Sequence, residues 1–355
     1  MRNEHDWGRR LLRVLGLALV FLLLSRAFAA AGTAARFCGS AGLRYTGTIS
    51  PAQQQTAAKA AQAMGLDLAF WAQTGGTARS EATGRSAAAS GIACAGQPSL
   101  CLPAEYLSGS APGPLQTDSC AVSAALARAL WGSVAPLGQV LVWQGAPYKI
   151  VGVFEGEDAL LLYPAAGQSA YANVELGGIP PDDPHGTALR FLQSAGLAGL
   201  EASPYLLAGP MLYWVVQLFC ALPLLAAGLW LLALCLRRCW AHPLLLFAVG
   251  LAAALALPLG LSALPRWLVP GQWSDFTFWA DTFGQITAQF GTLAALPATA
   301  RDSALAGAVW QTLACGAGGG VAVAGYAGYA GYVGYVGYAA FVQKGLAKNS
   351  NTITK

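Results

Sequence analysis

The stretch CAVSAALARALWGSVAPLGQVLVWQGAPYKIVGVF, residues 120–154, is the most legible part of this 355-residue chain. Ser123 supplies the oxygen of a helix N-cap, residues 123–131 read as a helix, and Gly132 stops it. Residues 139–143 and 148–154 are β-rich runs. Gln144-Gly145-Ala146-Pro147 stands between them with turn residues, so the pattern predicts a β-hairpin. A helix followed directly by a hairpin predicts a mixed α+β domain.

The surrounding residues extend that reading. Ser50, with proline in the first turn, predicts a helix over 51–64 (PAQQQTAAKAAQAM). Residues 66–73, 160–163 and 172–176 are apolar enough for strands, and 187–198 for a third helix. Residues 37–205 therefore form one domain, long enough for a core of its own. It carries seven Lys/Arg against eleven Asp/Glu.

Outside this domain the chain changes character. It is 55% hydrophobic and 10% charged overall, against about 25% charged in a typical soluble domain, and its mean hydropathy is +0.49. The apolar residues gather in four runs, near 11–24, 211–236, 244–264 and 305–342. The first has two readings. Its arginines and Ala27-Phe28-Ala29 imitate a secretory signal with its cleavage site, or the helix continues to about residue 35 as an anchor. Either way residues after 37 are exported.

The arginines of the N-terminus, Arg237/Arg238, and Lys344/Lys348/Lys355 fall on one side if there are four spans, and that side is the cytoplasm by the positive-inside rule. The sequence thus predicts an α-helical membrane protein with four transmembrane helices and one α+β extracytoplasmic domain between helices 1 and 2. Its divisions are residues 1–36, 37–205, 206–342 and a cytoplasmic tail, 343–355. The outside loop, 265–304, holds Trp267, Trp273, Phe276, Phe278, Trp279 and Phe283, which suit a segment lying along the outer lipid headgroups; packing against the exported domain is the other reading.

The last run contains Gly316, Gly318, Gly319 and Gly320, then five Gly-Tyr steps from Gly325 to Gly337. Small residues allow close helix–helix approach. The Gly318–Gly320 stretch follows no strand and has no Lys-Ser/Thr, so it is not a phosphate loop.

Chemistry-bearing motifs are sparse. No Walker A, His-Glu-x-x-His or Gly-x-Ser-x-Gly pattern occurs, so no catalytic, cofactor or metal residue is assigned and no enzyme activity is expected. No basic patch points to nucleic acid. Pro181-Asp182-Asp183-Pro184-His185 reads as an exposed acidic turn, and Glu155, Glu157 and Asp158 as a solvated loop. Of the eight cysteines, Cys38, Cys94, Cys101 and Cys120 lie in the exported region. Cys94 and Cys101 are the foremost candidate disulfide, and free or partly paired thiols are the alternative.

In residue order, 120–154 resembles the periplasmic core domain of MacB- and FtsX-type ABC permeases. The resemblance lies in the strand Ala121–Val122–Ser123, the Trp131-Gly132 step, the Gly138-Gln139 turn into the hairpin, and the Ile150-Val151-Gly152-Val153 exit. The upstream LSGSAPGPLQTDSC is similar to that family's Gly-Arg-x-Pro approach. The glycines are structural: Gly132 and Gly138 turn the chain, and Gly152 relieves crowding. The resemblance implies a permease-like subunit that couples a separate cytoplasmic ABC ATPase to the outside domain, together with a second permease or another copy of itself. Relatives dock the ATPase through a cytoplasmic segment between helices 2 and 3. Here only residues 237–242 are available, so Arg237, Arg238 and Trp240, with the 343–355 tail, are the candidate contact. The alternative is a non-catalytic membrane-anchored binding or scaffold protein derived from the same fold.

Overall fold

In a computed structural model, residues 2–353 are described, apart from 115, 166–169, 199–204, 240–242, 263, 271 and 273–275. The elements follow in order: α1 (Arg2–Phe37), β1 (Ala41–Ile49), α2 (Pro51–Met64), β2 (Asp67–Ser80), β3 (Ser86–Gly96), α3 (Pro98–Cys101), β4 (Tyr106–Gly109), β5 (Ser119–Ser123), α4 (Ala124–Trp131), β6 (Val140–Trp143) and β7 (Ala146–Phe154). Then come β8 (Leu160–Pro164), β9 (Tyr171–Gly177), α5 (Pro184–Ser194), β10 (Tyr205–Ala208), α6 (Gly209–Cys239), α7 (Pro243–Ser262), a 3₁₀ turn at Arg266–Leu268, α8 (Thr277–Ala295) and α9 (Ala300–Ile353).

The chain divides into two units. One comprises Met1–Ala31, Val215–Ala263 and Val309–Lys355; the other comprises Gly32–Trp214 and Leu264–Ala308.

In the folded unit ten strands form one mixed sheet in the order β10-β1-β9-β2-β3-β8-β5-β7-β4, with β6 paired to both β2 and β7. Those two pairings close a hydrogen-bonded ring of β2, β3, β8, β5, β7 and β6. β2 is shared by this ring and by a wing in which β9, β1 and β10 continue the sheet beyond it. Its first residues pair with β9, Asp67 opposite Gly177, and its last pair with β6, Ser80 opposite Leu141. The expected strand at 66–73 is thus about half of the real one. Gly76, inside β2, makes room for Trp143: a Cβ there would stand 2.8 Å from its ring.

Local signals hold where they are strongest. Ser50 caps α2 in a full capping box with Gln53. Ser123 caps α4 through the Leu126 amide, and Gly132 closes it at φ 72°. The hairpin turn is tighter than expected: Gln144 (φ 50°) and Gly145 (φ 84°) are its only two loop residues, as a type I′ turn requires. The expected third helix begins earlier, at Pro184, because Asp183 accepts from the Gly186 amide and caps it. The acidic turn is therefore a helix start.

The wing has two covered faces. Leu43, Phe70, Val174 and Leu176 belong to one apolar cluster with Ala57 and Ala61 of α2 and Phe191 of α5. Ala69, Trp71, Ile92 and Cys94 belong to another, with Cys101, Leu102 and, at its margin, Ala300. The segment expected as the loop 265–304 contains α8 and the start of α9.

Two helices are long and apolar enough to cross a membrane by length and composition, Val14–Phe37 and Gly209–Arg237, and Leu246–Leu255 is a shorter apolar helix, among the described residues. The glycine run does pack closely. A Cβ on Gly316 would stand 2.1 Å from the Phe219 carbonyl oxygen of α6, and one on Gly319 would stand 2.8 Å from Pro223. Gly325 and Gly328 have nothing within 4 Å of that position, so the first Gly-Tyr steps do not share this role. The side chains of 330–355 lie outside the described residues.

Trp143 is 1% exposed and lies against two glycines; a Cβ on Gly91 would stand 2.6 Å from its ring. Gly91→Ala must displace a buried indole, and overpacking of this kind costs about 1–3 kcal/mol. Thermal unfolding followed by tryptophan fluorescence is expected to show that loss, while Gly84→Ala, where the added Cβ meets nothing, serves as the strain-only comparison.

Candidate functional site

On the face of the wing opposite α2 and α5, alternation along β1 and β9 brings Arg44 and Glu175 to the same side. Neither meets water. The start of α9 lies over them, and Arg44, Glu175, Arg301 and Asp302 are each no more than 2% exposed.

The four side chains form one network. Arg44 makes a bidentate pair with Asp302: Nε donates at 3.0 Å and Nη2 at 2.7 Å. Its Nη2 also lies 2.6 Å from Glu175 Oε1. Arg301 pairs with Glu175 in the same way, Nε donating to Oε1 at 2.9 Å and Nη2 to Oε2 at 2.7 Å. Ser40 donates to Glu175 and accepts from Arg301, both at 2.9 Å. The guanidinium of Arg44 lies 4.9 Å from the Trp71 ring centre and that of Arg301 5.6 Å from Phe37, within cation–π range. Two positive and two negative charges cancel. Arg301 Nη1 is buried without a hydrogen-bond partner.

The first turn of α9 is capped from both directions. Thr299 Oγ accepts from the Asp302 amide at 3.1 Å and donates to Asp302 Oδ2 at 2.9 Å. Gln73, carried by β2, accepts from the Ala300 amide at 2.8 Å. Asp302 also places a negative charge at the positive end of the helix dipole. Burial alone would raise the Asp302 carboxyl, but Arg44, Thr299 and Arg301 together hold it below its ordinary value of 3.8. Burial opposes the Arg44 charge, and Glu175 and Asp302 outweigh that effect, so Arg44 stays protonated.

Each of the four charged side chains is ion-paired and closed off from solvent, and the arrangement ties the first turn of α9 to the sheet. No group of three or more His, Cys, Asp or Glu side chains suited to a metal occurs among the described residues. A shallow cleft of about 490 Å³ between α2 and the sheet is lined by Gln54, Gln55, Gln62, Leu68 and Phe70, and it carries no ionisable group.

The sequence-predicted candidates are scattered. Cys94 and Cys101 come together, with their sulfurs 2.6 Å apart and buried. Burial and the neighbouring Cys94 sulfur push the Cys101 thiol well above its ordinary value. Arg237 is exposed near the end of α6; Arg238 lies in the same helix, its side chain outside the described residues, as is Trp240 altogether. Sequence reading missed the whole network. Its signals were single charges inside apolar strands, Arg44 in LRY and Glu175 in VEL, and the Arg301-Asp302 pair just ahead of the last apolar run.

The chain is similar over about half its length to two solved structures. One is the extracellular domain of the noncanonic ABC-type transporter YknZ from Gram-positive bacteria, with 14% identity, 46% of this chain and 97% of that chain covered, and a TM-score of 0.39. The other is the periplasmic region of MacB from Actinobacillus actinomycetemcomitans, with 12% identity, coverage of 50% and 92%, and a TM-score of 0.41. No family model and no curated protein matches the chain.

Removing one partner of a buried pair leaves an uncompensated charge and costs about 3–5 kcal/mol. Glu175→Gln strands the Arg301 guanidinium, leaving Arg44 its pair with Asp302, and is expected to lose that much, while a joint Arg44→Met, Glu175→Leu, Arg301→Met, Asp302→Leu replacement loses far less. Because the folded Asp302 carboxyl titrates below its unfolded value, its contribution is complete above the unfolded value and disappears as pH falls through the folded one. Melting temperature should therefore be flat near neutrality and fall below about pH 4, and Asp302→Asn should shrink that acid limb.

Proposed function

We propose that the chain is a permease-like subunit that couples a separate cytoplasmic ABC ATPase to an extracytoplasmic domain. In this reading α1, α6, α7 and α9 cross the bilayer, both termini are cytoplasmic, and residues 37–205 lie outside. In this reading ATP hydrolysis is supplied by the partner. The supporting observation is the first turn of α9. It is fixed to the sheet by the buried charge network, and the same helix continues unbroken for 54 residues. In this reading the docked first turn is where motion of the membrane helices is passed to the sheet. The permease resemblance of residues 120–154 agrees with this reading.

One observation favours the scaffold alternative. α6 ends at Cys239 and α7 begins at Pro243, leaving three residues for a cytoplasmic coupling segment. The contact with an ATPase must then rest on Arg237, Arg238, Trp240 and the tail.

Two measurements test the proposal. A photo-crosslinker at Trp240 in the full chain, in its native membrane, should capture a nucleotide-binding protein; capture of none, with function intact when nearby ATPases are inactivated, would leave the scaffold reading. Export predicts an oxidising compartment, and there Cys94 and Cys101 should bridge. Alkylation of protein denatured without reductant should modify neither of them, whereas modification of both would contradict the bridge.

A further inference from the structure

α8 is amphipathic the wrong way round for a helix facing water. Its buried positions are Thr282, Gln289 and Leu293, and Gln289 Oε1 accepts from the Ala208 amide of β10 at 2.6 Å. Its exposed positions include Phe283, 62% exposed, and Trp279, 40% exposed, with Phe276 just ahead of its first turn at 85%. Residues 276, 279 and 283 are spaced at i, i+3 and i+7, so they share one stripe. Ala280, Thr287 and Ala294 continue it, all exposed and uncharged. The only charge in α8 is Asp281, which with Gln285 projects about 140–180° away from Phe276 round the helix axis. One flank thus suits water, one holds the sheet edge, and one is aromatic with no charge.

We propose that α8 is an interfacial helix whose Phe276–Trp279–Phe283 stripe beds in the outer leaflet of the lipid bilayer. Lipid fits better than a protein partner for two reasons. The stripe offers neither the charge nor the polar rim by which protein surfaces select one another. It also follows α7, whose Leu244, Phe247, Leu251 and Leu255 are all more than half exposed, within fourteen residues. Aromatic side chains concentrate at the headgroup boundary, and an uncharged stripe binds by apolar burial, independent of anionic lipid. The consequence is that β10, the sheet edge held by Gln289, rides on the membrane surface. This inference rests on the reading of α7 as a membrane span.

The test uses the full chain in phosphatidylcholine nanodiscs, with p-benzoylphenylalanine in place of Phe276 or Phe283, and separately in place of Phe247 in α7 and Leu107 in β4. All four positions are exposed, so the substitutions leave the core intact. Irradiation should shift the mass by one phospholipid at 276, 283 and 247 and not at 107. The same yield in discs containing phosphatidylglycerol is expected. Lipid adducts at 247 with none at 276 and 283, or with protein adducts there, overturn the inference and leave the span reading standing. Absence of lipid adducts at 247 as well overturns both.

Discussion

The four buried charges are the constraint on which the arrangement of the folded unit turns. Taking a carboxylate or guanidinium out of water costs several kcal/mol per ion even after relaxation. Mutual attraction in a low-dielectric interior offsets that cost only where geometry is nearly ideal. Here Arg44 grips Asp302 with two nitrogens and Arg301 grips Glu175 with two, the bidentate form that makes such pairs strong. A matching set of apolar side chains would hold the helix at least as well. What charges add is exclusivity: any other placement of α9's first turn strands an ion. The network therefore selects one docking position rather than simply strengthening it.

The sheet prepares that position. Arg44 on β1 and Glu175 on β9 lie on neighbouring strands in fixed register, with Leu43 opposite Val174 and Arg44 opposite Asn173. β2 completes the seat by supplying Trp71 under Arg44 and Gln73 to the α9 terminus. The same strand closes the ring at its far end, where Trp143 fills the space left by Gly76 and Gly91. One fourteen-residue strand thus links the packing of the ring to the docking of a helix more than two hundred residues later.

This explains what sequence could and could not show. α2, α4 and the hairpin have capping residues and turn chemistry within a few positions of one another, so local rules suffice. β3, an alanine-rich run from Ser86 to Gly96, has weak β propensity and is a strand because β2 and β8 flank it. Arg44 stands between Leu43 and Tyr45, and Glu175 between Val174 and Leu176, all four in the apolar cluster on the other face, an alternation that normally marks a solvent face. The helix covering that face arrives from residue 300, and no local rule looks so far. The aromatic composition of 267–283 was legible, but the helical form of 277–295 and its polar, inward side depend on Gln289 meeting β10.

α8 and α9 are separated only by residues 296–299, and each is tied to the sheet by a glutamine contact to a backbone amide: Gln289 to Ala208, and Gln73 to Ala300. The two ties act at different strands, β10 at the edge and β2 at the centre. The four-residue link thus runs between two points that are both held to the sheet, and releasing the first turn of α9 from its seat would expose or strand the buried ions.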